Sequence, residues 1–263
     1  MSGPSALPII GNLHQLGALP HRTLQRMAEK HGPIMSLKLG SLDFVVASSS
    51  EVTKQFLKTH DLNFSNRASS TASKHLLYNG RDILSAPHGE FWRDMRKVSV
   101  MELLNSKRID SFGKVMEEEA VAMVRSMWEK SEEGRVGVNV SESVASYVSN
   151  TTWRMLTGST NSNLRSGGMT FGEMVTEVTY LLGPVNIGEF FPFLEWLDLH
   201  GLRQRMKNVH QLIDAVFSKI LDDRAERKRR SGAEESERHK DLVDALVDME
   251  IGAADKRAII FVS

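Results

Sequence analysis

The order of apolar and polar residues predicts a chain made mainly of helices, with one small β region near its N-terminus. Two short strands are expected at Ile34–Leu39 and Phe44–Ala47, where β-branched and aromatic residues flank a Gly40-Ser41 turn. The expected fold class is therefore mainly α with a small β region, an α+β chain. Apolar residues recur at helical spacing in residues 22–31, 106–132, 141–157, 170–182 and 201–230.

The first seventeen residues are expected to form a proline-containing lead-in. Proline and glycine recur within residues 1–17 and do not favour a regular helix there. We expect an extended segment that is packed against the fold by Ile9, Ile10 and Leu13.

Local capping signals predict where two of the helices begin. Ser48 and Glu51 stand three residues apart, as in a capping box, ahead of a helix that reaches about His60. Three valines alternate over residues 136–140 and predict a short strand, after which Ser141 can cap the next helix.

Composition excludes several classes of function. The 263 residues are 41% hydrophobic, enough for a buried core, and 33 basic residues balance 33 acidic ones. That balance gives no reason to expect nucleic acid as a partner. No apolar run approaches the roughly 18 to 20 residues that a membrane-spanning helix needs. The absence of cysteine excludes disulfides, cysteine zinc sites and any thiolate ligand to a metal from within these residues.

The run from Ser85 to Leu104 carries the strongest functional signal. Pro87 and Gly89 interrupt any preceding helix, and Glu90 suits the positive end of a new one. Phe91, Met95 and Val98 then recur at helical spacing and predict an apolar stripe.

Trp92 and Arg96 stand one helical turn apart, on a face next to that stripe. The indole and the guanidinium donate hydrogen bonds and accept none, so an acid group such as a carboxylate would satisfy both. The residues alone leave a second interpretation open, in which Trp92 is a half-buried anchor beside a solvated arginine.

Residues 89–97, G-E-F-W-R-D-M-R-K, resemble the corresponding helix of the plant microsomal haem-thiolate monooxygenases, the cytochromes P450. The stretches H-G-P-I-M-S-L-K-L-G and F-L-K-T-H-D-L-N-F-S-N-R are similar to the same family, as is the run that begins at Phe190. The resemblance implies that Trp92 and Arg96 bind a propionate of haem b. It also implies that residues 18–263 form the N-terminal half of that fold, ending where the long helix over the haem begins.

The resemblance assigns roles to two further groups of residues. Ile83, Leu84 and Ser85 are expected on the loop that faces the substrate, although Ile83 and Leu84 could instead simply pack beneath a surface loop. Arg93 and Lys97 are expected on the face that meets an NADPH-cytochrome reductase.

The implied activity is insertion of one oxygen atom from O2 into a small hydrophobic substrate, with electrons from NADPH supplied through the reductase. Such chemistry needs an axial cysteine thiolate on the haem iron. The chain contains no such ligand and no catalytic residue of the family pattern. We therefore predict that the isolated chain is inactive. Relatives of this type lie on the cytosolic face of the endoplasmic reticulum membrane, and the family's membrane anchor is absent from these residues.

A second interpretation comes from another class of protein. Residues 190–197 are unusually apolar for a loop, which is typical of a surface that contacts lipid or covers a ligand channel. The chain could accordingly be a non-catalytic helical module that binds an apolar ligand, a membrane surface or a partner protein through this segment.

Overall fold

The computed structural model describes residues 3–102, 105–159, 165–183, 186–198, 200–231, 243, 246–247 and 252–262. These residues are mostly helical and include two small antiparallel strand pairs, which confirms the predicted fold class. The helices are α1 Leu13–Leu16, α2 Pro20–His31, α3 Ser50–Lys54, α4 Thr71–His75, α5 Glu90–Glu102, α6 Ser106–Lys130, α7 Val140–Thr157, α8 Phe171–Leu182, α9 Ile187–Phe190, α10 Leu202–Ser231 and α11 Ala253–Val262. The strands are β1 Ile34–Leu39, β2 Leu42–Ala47, β3 Arg165–Ser166 and β4 Met169–Thr170. Single turns of other helix types cover Gln55–Thr59, Asp61–Phe64, Tyr78–Gly80 and Pro192–Leu197.

Two compact units make up the chain. The first comprises Met1–Thr71 with Val185–Leu202, and the second comprises Ala72–Pro184 with Arg203–Ser263. The expected boundary between a lead-in and a domain, at residues 17 and 18, stays a prediction.

The β1–β2 hairpin is the centre of the first unit and confirms the strand prediction. Ile34 pairs with Ala47 at the open end, and Leu39 pairs with Leu42 at the turn. Alternate residues of β1 point inward, and Met35 and Leu37 are almost completely buried.

Gly40, at the hairpin turn, lies against the backbone of Phe190 in the same unit. Its φ of +61° suits glycine, and an added Cβ would lie 2.5 Å from the Phe190 carbonyl oxygen. That oxygen accepts hydrogen bonds from the backbone N–H and the hydroxyl of Ser41, each at 2.9 Å. The close approach fixes the end of α9 beside the hairpin.

The lead-in is held by an asparagine, and the expected packing by isoleucines is wrong. Ile9 is 77% exposed and Ile10 is 37% exposed, whereas Asn12 is only 1% exposed. The Asn12 side chain accepts the backbone N–H of Lys38 at 2.9 Å and donates to backbone carbonyls earlier in the lead-in. A buried amide that satisfies several backbone groups stabilises an irregular segment better than aliphatic side chains, which leave those groups unpaired.

Two predicted helix starts are shifted along the chain. Ser49, not Ser48, caps α3, because its hydroxyl accepts the N–H of Val52 at 3.2 Å. Asn139 caps α7 by accepting the N–H of Glu142 at 3.3 Å, so the helix begins before Ser141. The valine alternation at residues 136–140 does not form a strand, since the last of these residues already begins α7.

The core of the second unit follows the inner face of α10, as the helical spacing predicts. The inward residues are all less than 5% exposed, and they are Met206, Val209, Ile213, Val216 and Phe217.

Within the described parts of the chain, none of the helices is both long and apolar enough to cross a bilayer.

A half-buried polar cluster connects α10, α11 and the turn at Tyr78 within this unit. The Tyr78 hydroxyl donates to Asp214 Oδ1 at 3.0 Å, and Arg257 Nε lies 2.5 Å from the same oxygen. Burial, together with the nearby Asp214, raises the pKa of Tyr78 well above its ordinary value, so the phenol stays protonated and can donate. The Tyr78 ring also meets the rings of His210 and Phe261 edge-on. These contacts hold α11 against α10.

We expect Tyr78→Phe to lower the free energy of unfolding by about 1.5–3 kcal/mol, since a hydrogen bond to a charged group is lost. Tyr147→Phe on α7 is the matched control and should cost under about 0.5 kcal/mol. Urea unfolding followed by circular dichroism measures both. Equal losses for the two variants would contradict the role given to this cluster.

Candidate cofactor and substrate site

Helix α5 begins at Glu90, as the sequence predicts, and its apolar stripe faces the interior of the second unit, to which the helix belongs. Met95 is 5% exposed, while Phe91 and Val98 are half-buried. Hydrophobic burial along this stripe therefore sets the rotation of the helix and, with it, the direction in which Trp92 and Arg96 project.

Trp92 and Arg96 lie together on one side of α5. The Arg96 guanidinium carbon is 5.2 Å from the centre of the Trp92 ring, within the range of a cation–π contact. The Trp92 indole N–H donates to the backbone carbonyl of Ile83 at 3.0 Å, and the His88 ring lies 5.6 Å from the indole. The structure thus brings the two predicted residues together, and it gives the indole an acceptor that the sequence did not indicate.

The donors at this position suit an anionic ligand. Arg96 is exposed, and among the described residues it makes no hydrogen bond or ion pair, so its N–H groups are open to an acceptor. Arg93 and Lys97 on the same helix are exposed as well and add positive charge. A carboxylate at Arg96 fits this set directly, whereas one that also used Trp92 would compete with Ile83 for the indole proton.

The predicted substrate residues Ile83, Leu84 and Ser85 form a turn that is organised by Asp82. The carboxylate of Asp82 is completely buried and accepts the N–H groups of Leu84 at 2.8 Å and Ser85 at 3.0 Å. It also accepts a short hydrogen bond from the Ser85 hydroxyl. The turn leaves Leu84 53% exposed and Ile83 and Ser85 half-buried. Leu84 is therefore the member of this group that a ligand could reach most directly.

Arg81 ties this turn to two helices of the second unit. Its guanidinium lies 4.5 Å from the centre of the Phe91 ring and donates two hydrogen bonds to Asp255, at 3.1 and 3.2 Å. Phe91 belongs to the first turn of α5 and Asp255 to the first turn of α11. Arg81 consequently fixes the spacing between the starts of these two helices beside the turn.

Sequence reasoning missed Tyr78, Arg81 and Asp82. Aspartate side chains often accept a hydrogen bond from the backbone two residues on, so the bond from Leu84 to Asp82 could have been found. The hydrogen-bond partners of Tyr78 and Arg81, Asp214 and Asp255, lie more than 130 positions away along the chain, and no local pattern indicates them.

One cavity of the second unit lies elsewhere, between α7 and α8. Its volume is about 660 Å³, and its lining includes Ser149, Asn150, Phe171 and Glu173 but neither Trp92 nor Arg96. Thr170 and Glu173 form the capping box of α8 here, and the backbone N–H of Thr170 lowers the pKa of Glu173. The polar groups on this wall thus serve to begin a helix.

Comparison with known proteins agrees with the resemblance in the sequence. A family profile described as Cytochrome P450 matches residues 1–259. The chain is 44% identical over 251 residues to "Cytochrome P450 750A1" of Pinus taeda, which covers 94% of this chain and 48% of that relative. It is 38% identical over 252 residues to "Flavonoid 3'-monooxygenase" of Arabidopsis thaliana, covering 94% of this chain and 47% of the relative. The chain therefore spans about half the length of these curated relatives. Because the profile matches nearly the whole length of this chain, the chain belongs to the cytochrome P450 family.

Proposed function

We propose that this chain carries the N-terminal half of a haem-thiolate monooxygenase that inserts one oxygen atom from O2 into a small hydrophobic substrate. The observation that supports the proposal most directly is the pairing of Trp92 with an exposed Arg96 on one side of α5. An indole N–H and a guanidinium on adjacent helical turns, in a chain of this family, suit the carboxylate of a haem b propionate.

The other residues take the following roles in this proposal. Ile83, Leu84 and Ser85 face the substrate, and Asp82 holds them in place through its buried carboxylate. Arg93 and Lys97 form a positive surface for an NADPH-cytochrome reductase, since both are exposed on the helix that carries Arg96. Relatives of this kind lie on the cytosolic face of the endoplasmic reticulum membrane, and we propose the same location for this chain.

When bound, haem supplies iron that activates dioxygen with the help of an axial thiolate. The 263 residues would hold the porphyrin acid, and because they contain no cysteine they would provide no thiolate. In this chain, Arg96 neutralises the acid and Trp92 orients it. We propose that the isolated chain has no monooxygenase activity.

We expect Arg96→Gln to weaken haem binding to the chain about tenfold to a hundredfold, because a charge-assisted hydrogen bond to the acid is lost. Arg93→Gln is the matched control, as it removes an equally exposed positive charge from the same helix. Titration of haem followed by its absorbance gives both dissociation constants. The propionate role fails if the two variants weaken binding equally, or if neither does.

We expect the haem-loaded chain, after reduction and addition of carbon monoxide, to lack the absorption band typical of thiolate ligation. The physical reason is the absence of cysteine. A thiolate-type band from the purified chain would contradict the proposed inactivity, and the spectrum of an intact cytochrome P450 serves as the positive reference.

A second candidate function rests on a different surface, the aromatic segment Pro192–Leu197 in the first unit. Phe193 is 65% exposed and Trp196 is 71% exposed, although both are large apolar side chains. Side chains of this kind gain free energy when they enter a lipid interface. This exposure favours the non-catalytic alternative, in which the segment binds a membrane surface, an apolar ligand or a partner protein, and it is compatible with a membrane-bound monooxygenase.

We expect the double variant Phe193→Ser, Trp196→Ser to bind phosphatidylcholine vesicles at least about tenfold more weakly than the unmodified chain, because two aromatic side chains that would enter the lipid are lost. The control is Val121→Ser, Val124→Ser, which removes two exposed apolar side chains from α6. Vesicle flotation measures binding. Haem titration of the same variants separates the two functions, since the substitutions change the aromatic segment and leave Trp92 and Arg96 unchanged.

A further inference from the structure

The Trp92 indole has a single N–H group, and two acceptors compete for its hydrogen bond. In the structure the proton goes to the carbonyl of Ile83, at 3.0 Å. Under the proposed function, on which this inference rests, a carboxylate at Arg96 would lie beside the same indole, because the guanidinium is 5.2 Å from the ring centre. One N–H cannot make two full hydrogen bonds, so binding of the acid and retention of Ile83 compete.

The bond to Ile83 also positions the substrate-facing turn. Asp82 closes that turn from inside by accepting the N–H groups of Leu84 and Ser85. The Ile83 carbonyl projects from the middle of the turn and is held from outside by Trp92. Without the indole bond, the turn still has its bonds to Asp82, but these open more readily because the attachment to the Trp92 side chain of α5 is lost.

The chemistry of the two acceptors favours the acid. A backbone carbonyl is neutral, whereas a carboxylate makes charge-assisted bonds that are roughly twice as strong. Arg96 already stands beside the indole and would bring the carboxylate to it. We propose that Trp92 transfers its indole hydrogen bond from the Ile83 carbonyl to the bound acid group, so that occupation of the acid site releases the turn that carries Ile83, Leu84 and Ser85.

The transfer links two sites through one hydrogen bond. An occupied acid site leaves Leu84 and its neighbours freer to adjust to a ligand, and an empty one holds them against α5. Trp92 would then be a positioning residue for the substrate turn as well as a contact of the cofactor.

The attachment itself can be tested in the free chain by hydrogen exchange. In Trp92→Phe, the amides of Leu84 and Ser85 should exchange about five- to tenfold faster, because one neutral hydrogen bond no longer restrains the turn. Trp196→Phe is the matched control, since its indole donates to a backbone carbonyl at the same distance, 3.0 Å, in the other unit. Unchanged exchange at Leu84 and Ser85 in Trp92→Phe would overturn the proposal.

The transfer is tested in the unmodified chain with two metal-free porphyrins. Protoporphyrin IX carries two carboxylates, and its dimethyl ester has the same ring without them. With the diacid, the indole N–H resonance of Trp92 should shift and the Leu84 and Ser85 amides should exchange about five- to tenfold faster. The Trp196 resonance should stay constant, and the ester should change neither signal.

Two results would count against the proposal in distinguishable ways. Absorbance reports whether the diacid binds. If it binds but the Trp92 resonance does not shift and the amide exchange is unchanged or slower, the transfer is wrong and the acid site stands. If neither porphyrin binds, the proposed function fails, and the transfer fails with it.

Discussion

The turn at residues 82–86 depends on one buried carboxylate. Asp82 is completely inaccessible to solvent, so its oxygens must be satisfied by the protein, and the backbone of Leu84 and Ser85 supplies the donors. Because those donors belong to the same turn, satisfying the carboxylate also fixes the path of the chain. This path directs the Ile83 carbonyl to Trp92 and leaves Leu84 accessible. The proposed cofactor and substrate contacts both follow from that constraint.

Around this turn, long-range polar contacts provide what local structure cannot. Arg81 reaches Phe91 on α5 and Asp255 on α11, and Tyr78 reaches Asp214 on α10. A second network joins α6 to α7, where Arg154 donates to Glu119 at 2.8 Å and to Glu118 at 2.6 Å. Hydrogen bonding to Arg154 lowers the pKa of Glu118. The helices of the second unit are therefore oriented by directional contacts as well as by their apolar faces.

The two candidate functions draw on different parts of the chain and different physics. The acid site uses cations and an indole on α5 in the second unit, where direction and charge matter. The aromatic segment Pro192–Leu197 belongs to the first unit and offers apolar area with little directional chemistry. Both lie on a chain that belongs to the cytochrome P450 family.

The local pattern of residues was enough to predict the longer helices, the hairpin and the placement of Trp92 and Arg96 on one side of a helix. Each depends on neighbours at most a few positions apart, whose spacing is visible in the chain. Tertiary structure alone decided the rest. It showed that Asn12 rather than Ile9 anchors the lead-in, that Tyr78 pairs with Asp214, and that the Trp92 proton goes to Ile83. Burial decides these cases, because a polar group removed from water must bind whichever partner the fold brings near, and sequence spacing does not identify that partner.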